Sequence, residues 1–119
     1  MDKLILQILV LATLFIGESF YLYSEMFVAR HSASGTFGSK IFAIAMLLVM
    51  IGGMLFLLAV SKGIIAFDRN IWIIAVMSIA AIVIMEPVLA WIFFRQIPSI
   101  GAIIGFILGV IGLLMAVFF

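Results

Sequence analysis

The chain has 119 residues, of which 69% are hydrophobic and 9% charged; an average soluble domain is about 45–50% apolar and about 25% charged. Six basic and five acidic side chains cannot cover a soluble surface of this size, which excludes a soluble enzyme or binding module. The net charge of +1 gives nucleic acid no basic face, and without cysteine there is no disulfide, thiolate metal site or thiol nucleophile.

A helix needs about 20 apolar residues to cross the hydrocarbon layer of a bilayer. Four runs qualify, near Leu4–Val28, Ile41–Ser61, Ile71–Phe94 and Ile97–Phe119. None alternates polar and apolar positions as the roughly 10-residue strands of a barrel do. The expected fold is an all-α membrane protein, a four-transmembrane-helix bundle forming a single domain over residues 1–119. The first run follows Lys3 but is longer than a signal peptide's apolar region and lacks a small-x-small cleavage site, so it is expected to stay in the protein. Ala29 to Lys40 is a polar, Gly/Ser-rich loop containing His31. Lys62 to Asn70 is a second loop, carrying Lys62, Asp68 and Arg69. Arg95–Gln96 makes a tight turn, and Pro98 opens the fourth helix, where its missing N–H costs little.

Four spans place both termini on one side. Lys3, Lys62 and Arg69 then lie on that side, and Arg30, Lys40 and Arg95 on the other. Three against three gives the positive-inside rule nothing to act on. Either another signal or a partner orients the chain, or it inserts both ways and assembles as an antiparallel pair.

Three of the five acids fall within the spans. An acidic side chain at a helix centre costs about 2.5–3.5 kcal/mol on insertion scales, so such a residue is a functional candidate by default. Glu18 sits near the middle of the first span. A carboxyl there is suited to exchanging a proton for a cation, the minimal machinery of proton-coupled transport. Tyr21, three residues on, shares its face and is placed to hydrogen-bond it. The structural alternative is a protonated or paired Glu18 that serves assembly only. Glu25, two turns further along the stripe, is a second binding candidate, a solvated residue or a partner of Arg30. Glu86 precedes Pro87, and proline in a membrane helix frees a carbonyl and often marks a kink at a cavity. Glu86 either lines that cavity or pairs within the bundle. Met46, Met50 and Met54 form an i, i+4, i+8 stripe, suited to packing, to lipid or to a hydrophobic ligand. Trp72 and Trp91 fall near span ends as interfacial anchors.

The fourth span repeats glycine at Gly101, Gly105 and Gly109, then Gly112. This small-xxx-small pattern allows close helix approach, either to the other spans or to a second copy. No metal-ligand spacing, phosphate loop or nucleophile–base pair is present, so neither a cofactor nor an enzyme activity is expected.

A four-span chain of this length with a membrane Glu in span one resembles the small multidrug resistance family, the four-helix branch of the drug/metabolite transporter superfamily. The stretch WIFFRQIPSIGAIIG, Trp91–Gly105, is similar to that family's junction of helices three and four, and Gly105 and Gly112 match the spacing of its fourth-helix dimer contact. EPVLAWIFF is similar to the ten-helix members. Gly17–Glu18–Ser19 stands where the four-helix members carry A-E, Leu22 where they carry Thr, and Gly63–Phe67 where they carry P-x-G-x-A-Y. The resemblance implies a homodimer, antiparallel or otherwise, or a paired small membrane subunit, in a prokaryotic inner or plasma membrane. It also implies alternating access, with Glu18 shared by proton and substrate. The expected function is proton-coupled export of small organic or guanidinium-like cations. The alternatives are a subunit of a lipid-linked sugar (polyprenyl-phosphate) flippase and a structural subunit of a larger membrane complex. In each case membrane lipid is the surrounding partner.

Overall fold

The computed structural model describes residues 2–119. Its elements are α1 (Asp2–Ala33), α2 (Ser39–Ala66), α3 (Ile71–Phe94) and α4 (Ile100–Phe118), with no strand among the described residues. All four helices are long and apolar enough to cross a membrane. Even α4, with 19 residues, spans roughly 28 Å at the usual helical rise. The chain is a multi-pass membrane protein with an all-α, four-helix architecture.

The helices overrun the apolar stretches that mark them in the sequence. The α1 helix continues through Arg30 and His31 to Ala33, so the first loop shrinks from the expected Ala29–Lys40 to residues 34–38. The backbone hydrogen bonds of a helix do not end where its side chains turn polar, so only a turn chemistry can stop it. Here Gly35 adopts φ 75°, the Thr36 N–H donates to the His31 carbonyl at 2.9 Å, and Thr36 Oγ1 lies 2.7 Å from His31 Nδ1. The second loop likewise shortens to residues 67–70, with Asp68 and Arg69 both left-handed (φ 55° and 65°). The side chain of Asn70 then caps α3, accepting from the Trp72 N–H at 3.2 Å.

The α3 helix has its expected bounds and runs unbroken through Pro87. Arg95 ends it in a left-handed conformation, its N–H donating to the Trp91 carbonyl. The fourth helix starts at Ile100 rather than Ile97. Ser99 is its cap, taking the Ala102 N–H at 3.2 Å, and Pro98 stands outside the helix instead of opening it.

The helices pack in the order α2–α1–α3–α4, with a smaller contact between α2 and α3 and with α4 resting on α3 alone. Lipid tails are as apolar as leucine, so helix association in a membrane depends on close approach and interhelical hydrogen bonds. Both are seen between α1 and α2. Gly17 and Gly52 meet backbone to backbone: a Cβ on Gly17 would lie 2.9 Å from the Gly52 oxygen, and one on Gly52 2.7 Å from the Gly17 oxygen. About two turns on, buried Ser24 donates to the Ala45 carbonyl at 2.9 Å. At the other end of α1, Gln7 Nε2 donates to the Ala66 carbonyl at 2.9 Å and Lys3 forms an ion pair with Asp68. These contacts put the start of α1 and the second loop at the same end of the bundle.

Two small apolar clusters lie along α1, the first where α1, α2 and α3 meet and the second between α1 and α3. Leu14, Ala59 and Ile74 form one, and Leu22, Met26 and Leu89 the other. No residue of α4 is buried.

Candidate functional site

Glu18 lies one residue past the Gly17–Gly52 crossing and between the two apolar clusters. On α1 it is four residues from both Leu14 and Leu22, so the helical repeat turns all three towards α3. Its carboxylate accepts a 2.6 Å hydrogen bond from the hydroxyl of Ser78 on α3. Both residues are half-buried. A cavity of about 240 Å³, lined by Gly17, Glu18, Tyr21, Val49, Gly53 and Phe56, opens beside it. The close approach of α1 and α2 sets one wall of this cavity, and Gly53, with open space where a Cβ would stand, leaves it unfilled.

Tyr21 lines the same cavity as Glu18, but the expected hydrogen bond between them is not made. The hydroxyl that reaches Glu18 comes from Ser78, because Glu18 turns into the α1–α3 seam while Tyr21 stays half-exposed. The sequence carries a trace of this: Ser78 is the one hydroxyl side chain in α3, and a lone hydroxyl in so apolar a helix invites a partner.

The other two membrane acids meet across the same seam. Glu25 on α1 lies near Glu86 on α3; Glu25 is exposed and Glu86 half-buried. The expected pairing of Glu25 with Arg30 is absent, since the Arg30 guanidinium lies over the Phe93 ring at 5.8 Å. Phe93 also takes the Tyr23 ring edge-on at 5.2 Å between centroids. The three membrane carboxyl groups therefore occupy one seam in a constant register: Glu18 with Ser78, then Glu25 with Glu86. Glu25 is seven residues beyond Glu18, roughly 10 Å along the helix.

Glu86 and Pro87 also border a cavity of about 710 Å³ between α3 and α4. The same cleft continues as a shallower groove beside Val83, Gly105 and Gly109. No atom comes within 4 Å of where a Cβ would stand on Gly105, Gly109 or Gly112, and Gly101 has only the Ser99 hydroxyl at that limit. The glycine series thus packs against none of the other spans. Met46, Met50 and Met54 are exposed on α2, which is the lipid-facing disposition. No group of three or more metal-ligating side chains occurs among the described residues.

The chain matches no family model, no curated protein and no solved structure. The fold and this seam define a four-helix membrane protein with three carboxyl groups within its spans.

Proposed function

We propose that the chain is a small proton-coupled transporter that exports small organic or guanidinium-like cations across a prokaryotic inner or plasma membrane. One observation carries this reading: a half-buried mid-span carboxylate, Glu18, held by Ser78 and opening on a cavity. A carboxylate so placed binds either a proton or a cation but gains little from both at once, and that exclusion is what couples an outward cation to an inward proton. The Ser78 hydroxyl fixes the carboxylate orientation, and Tyr21 and Phe56 offer aromatic surface to a cationic substrate. The resemblance to the small multidrug resistance family supports the same reading and suggests a pair of chains, an antiparallel homodimer or a partnership with a related small subunit.

The deciding measurement is proton release on substrate addition to purified protein. Substrate should displace protons from the native chain and none from Glu18→Gln. Unchanged release from Glu18→Gln removes Glu18 from the mechanism.

A second reading, a subunit that flips a lipid-linked sugar, is favoured by the groove between α3 and α4, which has Glu86 on its wall. That reading expects movement of a polyprenyl-phosphate sugar between leaflets that depends on Glu86 and needs no proton gradient.

A further inference from the structure

The cavity of about 710 Å³ between α3 and α4 is distinct from the Glu18 site and shares no lining residue with it. Its volume falls in the range of about 300–1,000 Å³ usual for small-molecule sites. Glu86 stands at its inner end, Trp91, Phe94 and Phe106 form apolar walls, and Gln96 and Ser99 lie on the loop side.

Among the described residues no cation pairs with Glu86. Lys3–Asp68 is the one ion pair among the described residues. Arg30 lies over Phe93, and Arg95 over Trp91 at 5.9 Å. A carboxylate within the hydrocarbon layer is costly without a counter-charge.

We infer that this groove binds a compact arylalkylammonium drawn from the surrounding lipid. The ammonium donates to Glu86, and the ring packs among Trp91, Phe94 and Phe106. Three features select this chemistry. The Glu86 carboxyl on the cavity wall accepts hydrogen bonds, which a primary ammonium can donate and a quaternary one cannot. The aromatic walls begin five residues beyond Glu86, roughly 7.5 Å along the helix, which is the reach of a short alkyl linker between amine and ring. The cavity is bounded on one side by α4, which buries no side chain, so access is from the bilayer. Binding at Glu86 does not require that Glu18 carry protons.

The test uses the full chain with Trp72→Phe, which leaves Trp91 as its one tryptophan and alters a side chain that is 75% exposed. The protein is placed in phosphatidylcholine vesicles, and Trp91 emission is titrated with para-bromophenylbutylamine, a heavy-atom quencher. The matching bromophenylbutanol serves as the uncharged control. Saturable quenching by the amine is expected at about tenfold lower membrane concentration than by the alcohol. Glu86→Gln should abolish that difference, whereas Glu18→Gln should retain it. Equal quenching by amine and alcohol means that the groove takes lipid-like molecules without regard to charge, and this overturns the inference. Quenching by the amine that appears only on diluting the protein in lipid means that a second copy fills the groove, and overturns it as well. The comparison of amine with alcohol needs no carboxyl variant, so it stands even if Glu86→Gln does not fold.

Discussion

Gly17 of α1 and Gly52 of α2 face each other with no side chain between them, each occupying the space that a Cβ on the other would need. The opposing atoms are backbone oxygens and nitrogens and the Cβ atoms of Phe20 and Leu55, none of which can swing aside as the far end of a flexible side chain does. Gly17→Ala or Gly52→Ala should therefore push the helices apart and cost about 1–3 kcal/mol, the usual range for overpacking. Gly53→Ala meets open space and should leave stability within about 0.5 kcal/mol. Equilibrium unfolding of the three variants in mixed micelles checks this, and equal effects at positions 52 and 53 would refute the account of the crossing.

Ser78→Ala removes the hydroxyl that holds Glu18. Interhelical hydrogen bonds in membranes average about 0.6 kcal/mol and reach about 1.7, so the loss of stability should be modest. The larger effect should fall on the Glu18 carboxyl itself. Its carbonyl stretch, assigned by infrared difference against Glu18→Gln, should shift in Ser78→Ala and return towards its native position in Ser78→Thr. A band that ignores both substitutions would place Ser78 elsewhere.

Ser24 has no exposed surface to fall back on, being 2% accessible and bonded to the Ala45 carbonyl of the neighbouring helix. Ser24→Ala should cost about 0.6–1.7 kcal/mol. Ser24→Val adds bulk at a buried contact and should cost more. Lys3–Asp68 offers the contrast: both side chains are more than half exposed, and Asp68→Asn should change stability by less than about 1 kcal/mol.

Single cysteines can be placed at will in a chain that has none. Cysteines at Ser34 and at Asp68 should label from opposite faces of intact vesicles, because the first and second loops cap opposite ends of the bundle. If the chain inserts both ways, each site should label from both faces in about equal amounts, as the even division of its basic residues suggests. Labelling of both sites from one and the same face would contradict the four-span arrangement.

Gly105→Leu and Gly109→Leu fill space that no other part of the chain occupies. Each should leave the helical content of the monomer unchanged. If the glycine face is where two chains meet, each should also raise the dimer dissociation constant, read by cross-linking against dilution in lipid, by about tenfold, equivalent to about 1.4 kcal/mol. Unaltered dimers would move the contact to another face.

The number and type of the helices, and both ends of α3, were legible because the apolar runs are long and their punctuation is clear. Asn70 and Arg95 bracket α3 in the sequence as they do in the structure. The ends of α1 and α2 were less so. Hydropathy reports where a helix would leave the bilayer, whereas Arg30, His31 and Lys62 continue helices that have already left it. Glu18 was visible as an expensive residue, but its partner was not. Ser78 is 60 residues away, and which residues of α1 and α3 share a level depends on two intervening turns that no local pattern encodes. The same lack of register concealed the meeting of Glu25 with Glu86. With both carboxyls treated as local features, the nearest cation, Arg30, was the natural guess for Glu25, and it turns to an aromatic ring instead.

Every buried side chain belongs to the first three helices, and α4 follows through a five-residue connection from Arg95 to Ser99. The buried core thus lies within α1, α2 and α3, and α4 contributes no buried side chain to it. Its place beside α3 is specified by a tether and a shallow cleft rather than by an interlocked surface. A helix held in this way can move against α3 without disturbing the buried core, which makes the fourth helix the part of the fold freest to shift.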